Sequence, residues 1–200
     1  MSFINSNNRK LVALLKGMIV PSVFLVPLLC FVGCTRKLET RYDSGKIKEE
    51  YAVKRNAEGK YIKHGEYLCW HENGQKEEEG MFENGRKEGT FICWYENGQI
   101  KSEEEFKNGK KNGKNIEWYE TGKKAHEGEF KDDKHTGKWV YWYKSGEKFF
   151  EGEYENGREN GKWIYYYENG QKRSEGEFKD GKRIGKWLYW DENGEIKPAS

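Results

Sequence analysis

The residues of this 200-residue chain that are able to do chemistry are numerous, but they do not converge. His64, His71, His126 and His135 fall at four different places within a repeating pattern, and no nucleophile motif, phosphate-binding loop or metal-ligand spacing accompanies them. They read as exposed variants, and neither catalysis, nor a metal, nor a cofactor is expected. Cys69 and Cys93 precede Trp70 and Trp94 at one repeated place. Equivalent places in a meander lie ~9.6 Å apart, twice the strand spacing, whereas a disulfide needs Cα atoms within ~7 Å. Two free, packed thiols are expected. What remains is a chain with 35% charged residues and 31 aromatics, 8 of them Trp. Its chemistry is ion pairing and ring stacking, which serves recognition rather than turnover.

A chain so charged and only 34% hydrophobic would suit disorder, but disordered segments are poor in aromatics. The rings are organised by a repeat. Aligned on an Asn-Gly pair, copies start at 71, 95, 119, 143 and 167 with a strict 24-residue period, followed by a stub from Asp191. A stretched copy, Tyr42 to Trp70, carries five extra residues around Asn56 to His64. Such a period signals an array of identical structural units.

Each copy holds two turn signals, for instance Asn73-Gly74 and Asn84-Gly85, or Asn169-Gly170 and Asp180-Gly181. Asn-Gly and Asp-Gly between alternating segments predict hairpins. The three prolines, Pro21, Pro27 and Pro198, leave residues 28–197 with an unbroken set of backbone donors. The fold class expected is all-β: an elongated single-layer antiparallel meander of about a dozen strands, preceded by an N-terminal signal or anchor helix.

With every turn read as a two-residue loop, Tyr143 faces Lys148, and Tyr165 faces Phe150. One face then collects Trp139, Tyr141, Tyr143, Gly152, Tyr154, Gly161, Trp163 and Tyr165. The other collects Val140, Trp142, Glu151, Glu153, Lys162, Ile164 and Tyr166. Trp139, Trp163 and Trp187 come beside Gly128, Gly152 and Gly176, where a ring covers bare backbone. Lys138, Lys162 and Lys186 come opposite Glu127 or Glu129 and their equivalents, a mostly solvated charge ladder. In the copy from Tyr95, Glu104 replaces the glycine, Asn115 the tryptophan and Glu117 the tyrosine, all on one face. This is either repeat drift or a specific contact.

The run GEFKDGKRIGKW, Gly176 to Trp187, with its counterparts in the other copies, resembles the MORN repeat in its bacterial variant form over about residues 42–197. The resemblance implies a twisted single-layer sheet with a stacked aromatic face. It also implies a role in scaffolding and in membrane or protein contact, and the antitoxin label that many bacterial members carry.

The N-terminus supplies an address. Arg9, Lys10 and Lys16 precede the uncharged stretch GMIVPSVFLVPLLCFVG, Gly17 to Gly33. This is the layout of an export signal. The run FVGC, Phe31 to Cys34, resembles a lipobox with Phe31 in place of the usual Leu, which implies lipidation of Cys34 and anchoring at the cell envelope. Thr35, rather than Asp, implies the outer membrane in a diderm host. An uncleaved N-terminal anchor is the alternative. Removing residues 1–33 leaves 33 basic against 34 acidic residues, a net charge of −1, so no basic patch points to nucleic acid.

The organisation expected is a signal over 1–33, a short tether over 34–41, the stretched copy over 42–70, five copies over 71–190 and a truncated copy over 191–200. The function expected is non-enzymatic: a lipid-anchored scaffold binding a protein partner through Trp139, Tyr141, Tyr143, Trp163, Tyr165, Tyr167, Trp187 and Tyr189. The alternatives are an antitoxin or immunity protein whose partner is a toxin, and a module binding a cell-surface glycan. The rings of such a face also pack on one another, and that self-packing is the competing explanation for their presence.

Overall fold

A computed structural model describes residues 35–197. The anchor helix expected over the N-terminal stretch, and Cys34 with it, lies outside these residues. Among the described residues no helix is long and apolar enough to cross a membrane.

Thirteen strands form one sheet in strict sequence order: β1 (Arg36–Arg41), β2 (Ile47–Arg55), β3 (Tyr61–Trp70), β4 (Lys76–Glu83), β5 (Arg86–Trp94), β6 (Ile100–Lys107), β7 (Lys110–Trp118), β8 (Lys124–Lys131), β9 (Lys134–Trp142), β10 (Lys148–Glu155), β11 (Arg158–Tyr166), β12 (Lys172–Lys179) and β13 (Lys182–Tyr189). Every neighbouring pair is antiparallel, so the meander is as expected. The segment expected as a tether is instead the first strand, since β1 pairs with β2 from Arg36↔Val53 to Arg41↔Ile47. Leu38 and Thr40 alternate there with charged residues, a half-buried strand pattern hidden by its shortness.

The two Asn-Gly signals build different turns. At Asn84-Gly85 both residues have positive φ, 52° and 80°, and Asp132-Asp133 does the same at 51° and 65°. These are two-residue type I′ loops. At the other end, only the glycine is positive, as at Gly146 (φ 100°), and the pair Tyr143 N to Glu147 O (2.8 Å) closes a three-residue loop. In three of these loops the asparagine works through its side chain: Asn73, Asn97 and Asn169 Oδ1 accept from the amides of Gln75, Gln99 and Gln171. The extra loop residue corrects the expected register locally. Lys148 pairs with Trp142, not Tyr143, and a bulge at Phe149 restores Phe150↔Tyr141. The stretched copy lengthens the β2–β3 hairpin and gives it a three-residue loop too, with Asn56 N bonded to Lys60 O.

A larger irregularity recurs inside each copy. Between Glu151↔Ile164 and Glu153↔Asn160, Gly152 alone opposes Gly161, Lys162 and Trp163. Gly161 takes φ 69°, a left-handed conformation that a glycine adopts without strain. The detour lays the Trp163 ring on Gly152, where an added Cβ would overlap Trp163. Gly128 meets Trp139 and Gly176 meets Trp187 in the same way, and at Gly80 a Cβ would come 2.6 Å from the Phe91 ring. The glycine and the tryptophan of the repeated motif are therefore two halves of one packing unit.

Both ends of the strands stitch copies together. On one side the amides of Gly85, Gly109, Asp133, Gly157 and Gly181 bond the carbonyls of Lys63, Lys87, Lys111, His135 and Glu159 at 2.8–3.0 Å. On the other, the hydroxyls of Tyr95, Tyr119, Tyr143 and Tyr167 donate to the carbonyls of Trp118, Trp142, Tyr166 and Trp190 at 2.6–2.9 Å.

Candidate functional site

The aromatic face divides into two clusters. The N-terminal one centres on the buried Tyr67, Cys69 and Phe91, with Tyr51, Phe82 and Phe106 around them. Its rings meet edge to face, Tyr67–Phe82, Phe82–Phe91 and Phe91–Phe106 at 5.4–5.5 Å. The C-terminal cluster is a stripe. Trp139 and Trp163, 0% and 1% exposed, form its floor. Phe150 joins them, stacked on Tyr141 at 4.3 Å and on Trp163 at 5.6 Å. Tyr154 stands edge-on to Trp163 at 5.0 Å, and Phe178 does the same at 5.6 Å.

A single-layer sheet thus buries two tryptophans completely by folding rings onto glycine and onto one another. The indole nitrogens of Trp139 and Trp163 donate to the carbonyls of Glu129 and Glu153 at 3.1 and 3.2 Å. Trp139 and Trp163, expected as contact residues, therefore belong to the core. Tyr143 and Tyr167 sit at the loop end, where their hydroxyls clamp the next copy. Tyr141, Tyr165 and Trp187 are half-buried along the stripe, and Tyr189 is 40% exposed. Burial raises the phenol pKa of both Tyr141 and Tyr165, so their hydroxyls are protonated donors at neutral pH. Neither hydroxyl has a hydrogen-bond partner among the described residues.

Between the two clusters lies the altered copy. Asn115, 3% exposed, pairs directly with Glu104 and donates Nδ2 to its Oε1 at 3.0 Å. Lys111 Nζ reaches the same oxygen at 2.6 Å. His126 Nε2 lies 2.9 Å from Asn115 Oδ1 and 3.6 Å from Glu117. The three substitutions do fall on one face, as expected, and they form one polar network, hydrogen-bonded except at Glu117, which only approaches His126. Sequence reading missed its other two members, Lys111 and His126, because they occupy variable places in the motif. The histidines are not exposed variants either. His126 and His135 are half-buried, with ring centroids 5.7 and 4.2 Å from Trp139. Burial lowers the pKa of both, and Lys111 adds to it, so both are neutral at physiological pH.

The opposite face carries the charge ladder, but its partners differ from expectation. Lys138 and Lys162 pair with Glu151 and Glu175 of the following strand, at 3.0 and 3.3 Å. The bulge places Lys138 and Lys162 outside any direct pair with the preceding strand. Burial pushes the Glu151 carboxyl up, but Tyr166, Lys138 and Lys148 together outweigh it and hold it at about 2. Cys69 and Cys93 are free thiols, as expected, and burial raises the pKa of both, Cys69 to about 12. Inert thiols of this kind are packing groups. Among the described residues no set of three or more His, Cys, Asp or Glu side chains is placed to hold a metal ion.

The family model of the MORN repeat variant matches the chain at residues 63–84, 87–108, 111–132 and 159–180. Each matched stretch starts in a strand carrying the bulge glycine and ends at a type I′ turn, so it holds the ring position of one ring-on-glycine unit and the glycine position of the next, as Trp163 and Gly176 do in 159–180. No curated protein matches the chain. The protein carries MORN repeats of the variant form, joined into one continuous sheet.

Proposed function

We propose that the protein is a non-enzymatic scaffold that binds a protein partner on the C-terminal half of its aromatic face. The observation that carries this reading is the continuous run of half-buried rings, Tyr141, Phe150 and Tyr165, stacked on a fully buried tryptophan floor. A rigid floor removes the ordering cost of the rings above it, and tyrosines with free hydroxyls are the anchors that interfaces favour. Tethering through Cys34, from the FVGC run, would present this face at the membrane surface. The antitoxin reading adds only that the partner is a toxin.

A photo-crosslinking residue at position 141 and another at Ile164, on the opposite face, test the reading in the host cell. One protein species captured from position 141 and not from position 164, and lost when Tyr165 is changed to Ser, is the expected result. Capture from position 164 alone would reverse the assignment of faces, and capture of glycan rather than protein would replace it. Cys34→Ser releases the protein from membranes if the lipid anchor is real.

A further inference from the structure

The aromatic face also carries cations, and its two halves neutralise them differently. Lys87 and Arg183 stand at the same place of their copies, opposite Phe82 and Phe178. Each lies over a ring that covers a glycine, Lys87 at 4.2 Å from the centre of Phe91 and Arg183 at 4.1 Å from that of Trp187. Lys87 is completed by an acid of the chain itself, Glu78, at 2.6 Å. On the strand before Arg183 that place holds Ser174, which is 5% exposed. Arg183 reaches only the neutral hydroxyl of Tyr189, at 3.3 Å, and Tyr189 occupies the place of Cys93, whose thiol approaches Glu78. The cation and its ring are kept, and the carboxylate between them is missing.

A second uncompensated cation lies nearby. Arg173 sits over Phe149 and Tyr165, 5.7 and 5.6 Å from the ring centres. Among the described residues neither guanidinium makes an ion pair. Both act on the Tyr165 hydroxyl, whose pKa burial pushes up while Arg183 and Arg173 pull it back and Glu159 opposes them. Two cations against one acid leave this end of the stripe positive. Lys111, at the place of Arg183 in another copy, is paired like Lys87, with Glu104 at 2.6 Å. Lys63, also without an ion pair among the described residues, lies among Tyr51, Tyr67 and Phe82, and its ammonium lacks the fork that fits a carboxylate.

We propose that Arg183 and Arg173, with the hydroxyls of Tyr165 and Tyr189, form a carboxylate site for an acidic side chain of the protein partner. The proposal rests on the reading that a protein covers this half of the face, and adds the charge that protein must present there. The incoming carboxylate lies over Ser174, in the place that Glu78 fills beside Lys87. It accepts from the Arg183 fork, while Arg173 supplies the second positive charge.

The test uses the intact protein and two fluorescent peptides with blocked ends, Gly-Phe-Glu-Phe-Gly and Gly-Phe-Gln-Phe-Gly. The glutamate peptide should bind about tenfold more tightly, and Arg183→Gln should remove that preference. Ser174→Glu supplies the acid from within the chain and should remove it too. No binding, or equal binding of the two peptides by the unaltered protein, overturns the site whether or not either variant folds. Self-association of the unaltered protein that Arg183→Gln abolishes would assign the arginines to a second copy and overturn it as well. Protein capture from position 141 that is undiminished by Arg183→Gln overturns the site and leaves the partner reading standing. A retained glutamate preference with no protein captured supports the site and removes the partner reading, so the two fail separately.

Discussion

Two solutions to one packing problem lie side by side in this sheet. Where the strand offers glycine, at Gly80, Gly128, Gly152 and Gly176, a ring from the next strand lies on it. The cross-strand pair there is lost, and the bulge glycines Gly89, Gly137, Gly161 and Gly185 take φ of 62–73°. Where the strand offers a side chain, at Tyr51 and Glu104, the pair forms, as Tyr51↔Tyr67 and Glu104↔Asn115. The irregularity then moves one residue along, and Gly65 and Gly113 open to φ of 105° and 117°. One backbone position thus switches the local geometry. With a bare backbone the ring folds down and excludes water; with a side chain the ladder continues, carrying an aromatic pair at Tyr51 and Tyr67 and a polar one at Glu104 and Asn115.

The sharpest way to break the first solution is Gly152→Val, which places a branched side chain inside the Trp163 ring. We expect a loss of about 3–5 kcal/mol, as large as removing a buried tryptophan, read from denaturant unfolding. The polar solution should be less costly to break. Asn115→Leu leaves Glu104 and His126 without their shared partner and should cost about 1–3 kcal/mol in the same assay.

Smaller effects sharpen the comparison. Tyr167→Phe removes the hydroxyl that donates to Trp190 O at 2.9 Å and should cost about 0.5–1.5 kcal/mol, with the aromatic stripe unchanged in near-ultraviolet circular dichroism. The shallowest effect is on pH dependence. Burial holds His126 and His135 below the ordinary value of 6.5, with Lys111 acting in the same direction on both and Glu117 and Glu104 opposing it at His126. The unfolded chain binds these protons more readily, so the stability the two neutral rings confer is complete above about pH 6.5 and falls as pH drops toward their folded values. His126→Phe should flatten unfolding free energy across that window, and an unchanged slope would remove His126 from the account.

Much of this was legible in the residues. The 24-residue period, the Asn-Gly signals and alternation define the meander, and the columns of Trp and Gly announce the ring-on-glycine contact. What the pattern hid was geometry that residue types do not encode. Asn73-Gly74 and Asn84-Gly85 are the same dipeptide, yet one closes a three-residue loop through the asparagine side chain and the other a type I′ turn. Burial was hidden for a similar reason. Trp139 on a single-layer sheet looks like an exposed ring, and only the bulge at Gly137, which folds it onto Gly128, makes it core. The network around Asn115 was half visible, because three of its members break the motif while Lys111 and His126 do not. Residues 36–41 escaped notice because one short strand shows too little alternation to stand apart from a linker.

The central claim, that the residue at the glycine position decides between the two solutions, is tested most directly by a double-mutant cycle on Glu104→Gly and Asn115→Trp. Each single change should destabilise, since Asn115→Trp meets the Glu104 side chain and Glu104→Gly strips Asn115 and Lys111 of their acceptor. The account predicts that the double variant recovers the ring-on-glycine unit and is more stable than the sum of the singles by about 1–3 kcal/mol in denaturant unfolding. Additive losses, or a double variant worse than their sum, would contradict it.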